Sequence, residues 1–202
     1  ANDYTDGIAL QTIKLVFEWL EKSVKTADPE AREKMHNAST MAGMAFANAF
    51  LGMSHSMAHK IGGVHHTVHG RTNAILLPYV IRYNGTRPSK TTTWPKYNYW
   101  KADEKFQDIA KMLGLPHSTP EEAVEAYAKA VYELGVAVGI KMNFKDQGID
   151  EKAWKDSLHE IALLAYEDQC SPANPRLPMV ADMEEIMADA YYGYAERPGR
   201  RK

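Results

Sequence analysis

The chain has 202 residues, and at roughly 150 residues per domain this length predicts a single domain or one with a small annex. Its 24 Lys and Arg nearly balance its 26 Asp and Glu, and a formal net charge of -2 argues against a nucleic-acid partner. One cysteine, Cys170, excludes an intrachain disulfide framework. With no secretory signal pattern and no run of ~18 apolar residues, we expect a cytoplasmic protein without a membrane span.

Apolar residues recur with a period near 3.6 along almost the whole chain, which predicts an all-α protein of about seven helices in one domain, residues 1–202. The first helix begins near Thr5 or Asp6. The second begins at Asp28 as N-cap and Pro29 at the first helical position, and we expect it to run to about residue 60. This second helix is rich in small residues that allow close approach of neighbours, so we expect it to be central.

A glycine-marked loop from Gly62 to Gly70 is predicted next. The apolar run 74–83 contains Pro78, which argues against a central strand, so we predict a kinked buried helix. Residues 84–101, rich in Pro, Thr and Asn, predict a long surface connection.

The second half of the chain carries several helix start and stop signals. They predict a helix over 102–113 that stops at Gly114, a helix opened by a capping box at Thr119-Pro120-Glu121-Glu122, and a helix capped by Asp150. A non-helical loop is predicted over 170–178. A last helix follows over about 180–192, and the chain ends in a basic tail over 197–202.

Histidines concentrate in one short segment, because five of the eight lie between residues 55 and 69. Short His-rich tracts commonly bind metal. His55 and His59 are four apart and therefore share one face of a helix, while His69 lies on a segment free to fold back over that face. Core histidines that hydrogen-bond to the backbone would give the same spacing, so both interpretations stay open.

The residues alone leave the metal site incomplete. Catalytic zinc needs three protein ligands and structural zinc four, and no cysteine or acidic residue stands close by in sequence. The sequence also lacks the glutamate that follows the first histidine in metalloprotease helices, which disfavours a metal-dependent hydrolase.

No glycine-rich nucleotide motif is present, so no cofactor-binding residue is assigned. Cys170 fits a buried inert thiol better than a nucleophile.

Two segments, Phe50 to Gly62 and His69 to Pro78, resemble the iron-containing (group III) alcohol dehydrogenase family. The likeness extends over essentially all of the chain, including the segments 168–170, 174–176 and 189–193, and is closer to the alcohol dehydrogenase end of bacterial bifunctional aldehyde–alcohol dehydrogenases. The resemblance implies an all-α, metal-binding C-terminal domain of a dehydroquinate-synthase-like fold.

Matched positions in that family imply a role for five residues. His55 and His69 would be metal ligands, and His59 would relay a proton near the nicotinamide. Phe46 and Cys170 would line the aldehyde pocket. The implied metal is Fe²⁺, with zinc possible, and the implied reaction interconverts acetaldehyde and ethanol with NAD(H).

The resemblance also implies parts that this sequence lacks. Two further metal ligands and an α/β domain that binds most of the NAD(H) lie upstream in the family, and this chain begins with Ala1. We therefore expect a fragment of a longer enzyme, inactive by itself, whose partners are the missing N-terminal part, a small aldehyde or alcohol, and further copies in a homo-oligomer or filament. The alternative is a non-catalytic helical assembly module.

Overall fold

The structure is a computed structural model that describes residues 1–88 and 100–193. Within these ranges every regular element is a helix, so the predicted all-α class is confirmed. The elements are α1 (Asp3–Thr26), α2 (Pro29–Ala49), α3 (Met53–His65), α4 (His69–Gly85), α5 (Ala102–Met112), α6 (Pro120–Ala137), α7 (Glu151–Tyr166), a 3₁₀ turn (Ser171–Ala173) and α8 (Val180–Tyr192).

Local N-cap side chains set the starts of α1, α2, α6 and α7. Asp28 accepts a hydrogen bond from the backbone N–H of Ala31 at 2.9 Å, and Asp150 caps α7 in the same way through Ala153 at 2.9 Å. α1 begins slightly earlier than predicted because Asn2 caps it. The predicted starts of α2, α6, α7 and α8 are confirmed.

The predicted second helix is wrong in its length and its position. α2 ends at Ala49, Phe50 takes a φ of 67°, and a new helix, α3, begins at Met53. α2 packs chiefly against α1 rather than in the centre of the molecule. Its buried side chains are alanines seven residues apart, Ala31, Ala38 and Ala45.

The glycine-marked loop is also shorter than predicted. Gly62 lies inside α3, which continues to His65, and the chain turns at His66 in the left-handed conformation with φ 54°. The predicted buried helix with Pro78 is confirmed as part of α4. Most of 84–101 and all of the basic tail lie outside the described residues, and the loop over 170–178 includes the 3₁₀ turn.

Two apolar clusters hold the helices together, and α4 contributes to both. The larger cluster joins α3, α4, α7 and α8 around side chains such as Met57, Leu76 and Trp154. The smaller cluster joins α4 to α6 through Ile81 and Tyr127. α4 therefore takes the central place that the sequence assigned to α2, and it anchors α3 beside it. Among the described residues no helix is long and apolar enough to cross a bilayer.

Candidate metal centre

Three of the predicted site histidines meet at the junction of α3 and α4. His55 and His59 project from one face of α3, with ring centroids 6.2 Å apart. The short turn over residues 66–68 reverses the chain and returns His69, the first residue of α4, to that face. The His69 ring lies 5.3 Å from each of the other two and stacks on His59 at 15°. The fold-back predicted for His69 is therefore what the structure shows.

The start of α3 is held by a residue from far along the chain. Its N-cap, Gly52, has no side chain to cap the helix. The side-chain oxygen of Asn174, which is 1% exposed, accepts the N–H of Met53 at 3.2 Å instead. Asn174 is fixed in turn by donating to the side-chain oxygen of Asn84 at 2.7 Å. His55 lies in the first turn of α3, so this cap positions it.

The environment of His55 favours its neutral form. Burial, followed by the proximity of His69 and His59, lowers the pKa of His55 from 6.5 to about 4. A neutral imidazole carries the lone pair that a metal ion requires. His55 is therefore ready to bind a metal at neutral pH without losing a proton.

A hydrogen-bonded chain orients His69. The side-chain amide of Asn73 lies 3.2 Å from Nε2 of His69 and donates to the carbonyl oxygen of the same residue at 3.2 Å. The hydroxyl of Ser54 donates to the amide oxygen of Asn73 at 2.9 Å. Because the amide N–H only donates, Nε2 of His69 accepts in this contact, and a metal ion on Nε2 would replace it.

His59 contacts an acidic residue to which the sequence analysis assigned no role. Its Nδ1 lies 3.2 Å from Oδ2 of Asp168, and the Lys60 ammonium lies 3.0 Å from the same oxygen. The backbone N–H of Cys170 donates to Oδ1 at 3.0 Å. Burial raises the pKa of Asp168, but the hydrogen bonds from Cys170, Lys60 and His59 outweigh it and hold the pKa well below its usual range. Asp168 is 109 residues from His59, so no local pattern could reveal the pair.

The donor atoms of His59, Asp168 and Cys170 also lie within 4.8 Å of one another, which is close enough to suggest a metal site. The Lys60 ammonium already pairs with the carboxylate, which argues against that interpretation. In the metal-free chain, burial and the neighbouring Asp168 raise the pKa of the Cys170 thiol to about 11.

The centroids of His55 and His69 are 5.3 Å apart, a separation compatible with both rings binding one ion through metal–nitrogen bonds of about 2.1 Å. The centroids of His59 and His69 are equally far apart, so the choice of His55 and His69 as ligands rests on the family resemblance. Imidazole ligands suit iron and zinc alike. Two histidines remain fewer than such an ion needs, so further ligands must come from outside this pair.

The two predicted pocket residues lie next to different histidines of the site, Phe46 beside His55 and Cys170 near His59. The Phe46 ring, at the end of α2, is 45% exposed and its centroid lies 6.4 Å from that of His55. Cys170 is 1% exposed beside Asp168, as expected for an unreactive thiol. A largely apolar cleft of about 740 Å³ opens at the start of α3, where Phe50, Leu51 and Ser54 line it.

These features define a helical domain with a histidine-rich candidate metal site. Residues 1–191 match the family model described as Fe-containing alcohol dehydrogenase family, C-terminal. The chain belongs to this family, and the resemblance inferred from its sequence is confirmed.

Individual relatives agree with the family assignment. The chain is 79% identical over 202 residues to the aldehyde-alcohol dehydrogenase of Streptococcus pneumoniae strain D39, covering 100% of this chain and 23% of that protein. It is 39% identical over 198 residues to the bifunctional aldehyde-alcohol dehydrogenase AdhE of Escherichia coli K12, covering 96% of this chain and 22% of that protein. The solved alcohol dehydrogenase of Oenococcus oeni matches with a TM-score of 0.81 at 33% identity, over 94% of this chain and 46% of that one. The chain thus spans about a quarter of these curated relatives.

Proposed function

We propose that residues 1–202 form the helical metal-binding domain of an NAD(H)- and iron-dependent alcohol dehydrogenase that interconverts acetaldehyde and ethanol. The observation that carries this proposal is the meeting of His55, His59 and His69 at the segments that match the family. The lowered pKa of His55 supports it, since a neutral imidazole carries the lone pair that a metal ion requires.

His55 and His69 would hold the metal ion, Fe²⁺ or alternatively Zn²⁺. When bound, such an ion supplies Lewis-acid polarisation of the carbonyl oxygen. The chain's own contribution is to hold both imidazoles in place. Asn174 does this for His55 by capping α3, and Asn73 does it for His69 by hydrogen bonding.

His59 would exchange the proton of the reacting oxygen. Its side chain is 34% exposed, so water can replace the proton it gives up. A general acid or base of this kind contributes about 10²–10⁴-fold to the rate. Phe46 and Cys170 would form apolar walls that exclude water from the aldehyde.

The NAD(H) would be bound mainly by a part of the enzyme outside these residues. Two observations support this: the sequence carries no glycine-rich nucleotide motif, and its curated relatives are about four times as long. That other part is the partner we propose for this domain, beside the small aldehyde or alcohol. We therefore expect the 202-residue chain alone to be inactive as a dehydrogenase.

NADH oxidation with acetaldehyde tests the proposal in the intact enzyme that contains this domain. His59→Gln is expected to lower kcat by about 10²–10⁴-fold while the bound metal stays. His36→Ala, which changes an exposed histidine on α2, is the matched control and should leave kcat unchanged. An intact enzyme without NADH oxidation, or a His59→Gln variant with full kcat, would contradict the proposal.

Exposed apolar side chains favour a second candidate, a helical assembly module. Met44, Phe46 and Phe50 are 47%, 45% and 50% exposed at the end of α2. Such a patch favours self-association into a homo-oligomer or filament. Light scattering of metal-free protein distinguishes the two candidates, because an assembly module associates without metal or cofactor, whereas a domain that serves only catalysis does not.

A further inference from the structure

We infer that Asp168 is a positioning residue that holds the His59 imidazole in the tautomer with its proton on Nδ1. The reactive nitrogen of His59 is then Nε2. This inference deepens the proposed function and rests on it for the role of His59 in proton exchange. The tautomer itself follows from the contacts that surround Asp168 and does not depend on that role.

The first argument is the hydrogen-bond chemistry of the contact. Nδ1 of His59 lies 3.2 Å from Oδ2 of Asp168. An ionised carboxylate only accepts hydrogen bonds, so the nitrogen that faces it must carry a proton. The hydrogen bonds to Asp168 keep the carboxylate ionised over the whole neutral range.

The second argument is that Asp168 cannot turn away. Its side chain is 7% exposed, Lys60 pairs with Oδ2 at 3.0 Å, and the Cys170 N–H donates to Oδ1 at 3.0 Å. Both oxygens are therefore held, and the carboxylate presents a fixed acceptor. Lys60 is adjacent to His59 on α3, so the same helix carries the imidazole and the cation that anchors its partner.

The third argument is the orientation of the ring. The His59 ring stacks on His69 at 15° with centroids 5.3 Å apart, which fixes its plane. With Nδ1 turned to Asp168, Nε2 lies at the other side of the ring. Among residues 1–88 and 100–193, the ring forms its hydrogen bond with Asp168.

This arrangement defines the proton step in alcohol oxidation. The alcohol O–H bond breaks and its proton forms a bond with Nε2, while the hydride leaves the carbon with both electrons for NAD⁺. The aldehyde is released, and His59 gives the added proton to water. The proton on Nδ1 stays hydrogen-bonded to Asp168 throughout, so each turnover returns the same tautomer.

Histidine NMR on ¹⁵N-labelled, metal-free protein tests the inference directly. The spectrum of His59→Gln identifies the His59 signals by their loss. We expect wild-type His59 to carry its proton on Nδ1, and Asp168→Asn to move the population toward the Nε2–H form because the amide can donate to Nδ1. A wild-type His59 with its proton on Nε2 overturns the inference, even where Asp168→Asn fails to fold.

Kinetics of the intact enzyme give the second readout. Asp168→Asn is expected to lower kcat by about 10–100-fold with KM and bound metal unchanged, and Asp168→Glu to restore part of the loss. Asp156→Asn, an exposed carboxylate on α7, is the control and should leave kcat unchanged. Full kcat in Asp168→Asn overturns the inference. A wild-type enzyme without NADH oxidation contradicts the proposed function instead, while the tautomer measurement still decides the inference.

Discussion

The cap that Asn174 places on α3 gives the most specific prediction for the fold around the site. Replacing Asn174 by alanine removes the acceptor for the Met53 N–H and the donor to Asn84. Losing a helix N-cap costs about 1 kcal/mol. Leaving the buried Asn84 side chain without its partner costs about 1–3 kcal/mol more. We therefore expect Asn174→Ala to lower the free energy of unfolding by about 2–4 kcal/mol.

Gly52 adds a geometric test of the same contact. A Cβ at Gly52 would lie 2.8 Å from the side-chain oxygen of Asn174, so Gly52→Ala must displace that amide. We expect Gly52→Ala to cost about 1–3 kcal/mol in the wild type. The cost should shrink in the Asn174→Ala background, because the obstructing oxygen is gone. The two substitutions are therefore expected to be less than additive, as neighbouring sites commonly are.

Urea unfolding of the four proteins measures this coupling. Asn48→Ala is the matched control, because Asn48 is an exposed residue whose amide donates only within α2. Asn174→Ala within about 0.5 kcal/mol of the wild type would refute the capping argument. Strict additivity of Gly52→Ala and Asn174→Ala would refute the proposed clash.

Three further predictions concern single residues. Since the pKa of His55 is lowered from 6.5 to about 4, the unfolded chain takes up its proton first as the pH falls, and stability is lost between these values. With partial exposure taken into account, the free energy of unfolding of the metal-free protein should fall by about 1–2 kcal/mol over this pH range. His55→Gln should abolish this fall. Equal pH dependence of stability in the wild type and in His55→Gln, measured by urea unfolding, would contradict the prediction. Gly135→Ala places a Cβ 2.4 Å from the sulfur of buried Met142 and should destabilise the protein. The Cβ of Gly43→Ala meets nothing within 4 Å, so this change should stabilise the protein by up to about 1 kcal/mol. Thermal unfolding that reversed this order would refute the packing argument. Cys170, 1% exposed with a pKa of about 11, should react with a thiol reagent at neutral pH only after unfolding, and fast reaction of the native protein would show an open site.

Local signals in the sequence predicted most helix boundaries. Asp28 with Pro29 and Asp150 act within a few residues of themselves, and so their effect is visible in a short window. Gly114 likewise ends α5 with a φ of 69°, as expected of a glycine there. These elements could be predicted because the hydrogen bonds that start or stop them are local.

The break between α2 and α3 could not be predicted in the same way. The residue that caps α3 is Asn174, 121 positions away from Met53. Nothing within a short window marks Phe50 as the turn, because a phenylalanine rarely adopts its φ of 67°. The long helix expected from the small-residue pattern therefore divides at a point set by tertiary contacts.

The candidate site likewise contains residues that local spacing predicts and one residue that it does not. The spacing of His55 and His59 determines that they share a face, and the short distance to His69 permits the fold-back that the structure shows. Asp168 lies 109 residues further along the chain, just after α7, and the packing of α7 against α3 brings it to His59. The histidines could be predicted from the sequence, whereas the group that orients one of them required the fold.

Metal content of the intact enzyme tests the central claim most directly. Elemental analysis should find about one iron or zinc ion per chain in the wild type and in the exposed control His36→Ala. His55→Ala and His69→Ala should each lose the ion, because each removes one of the imidazoles that meet at α3 and α4. Full metal content in both variants would contradict the assignment of these histidines as ligands.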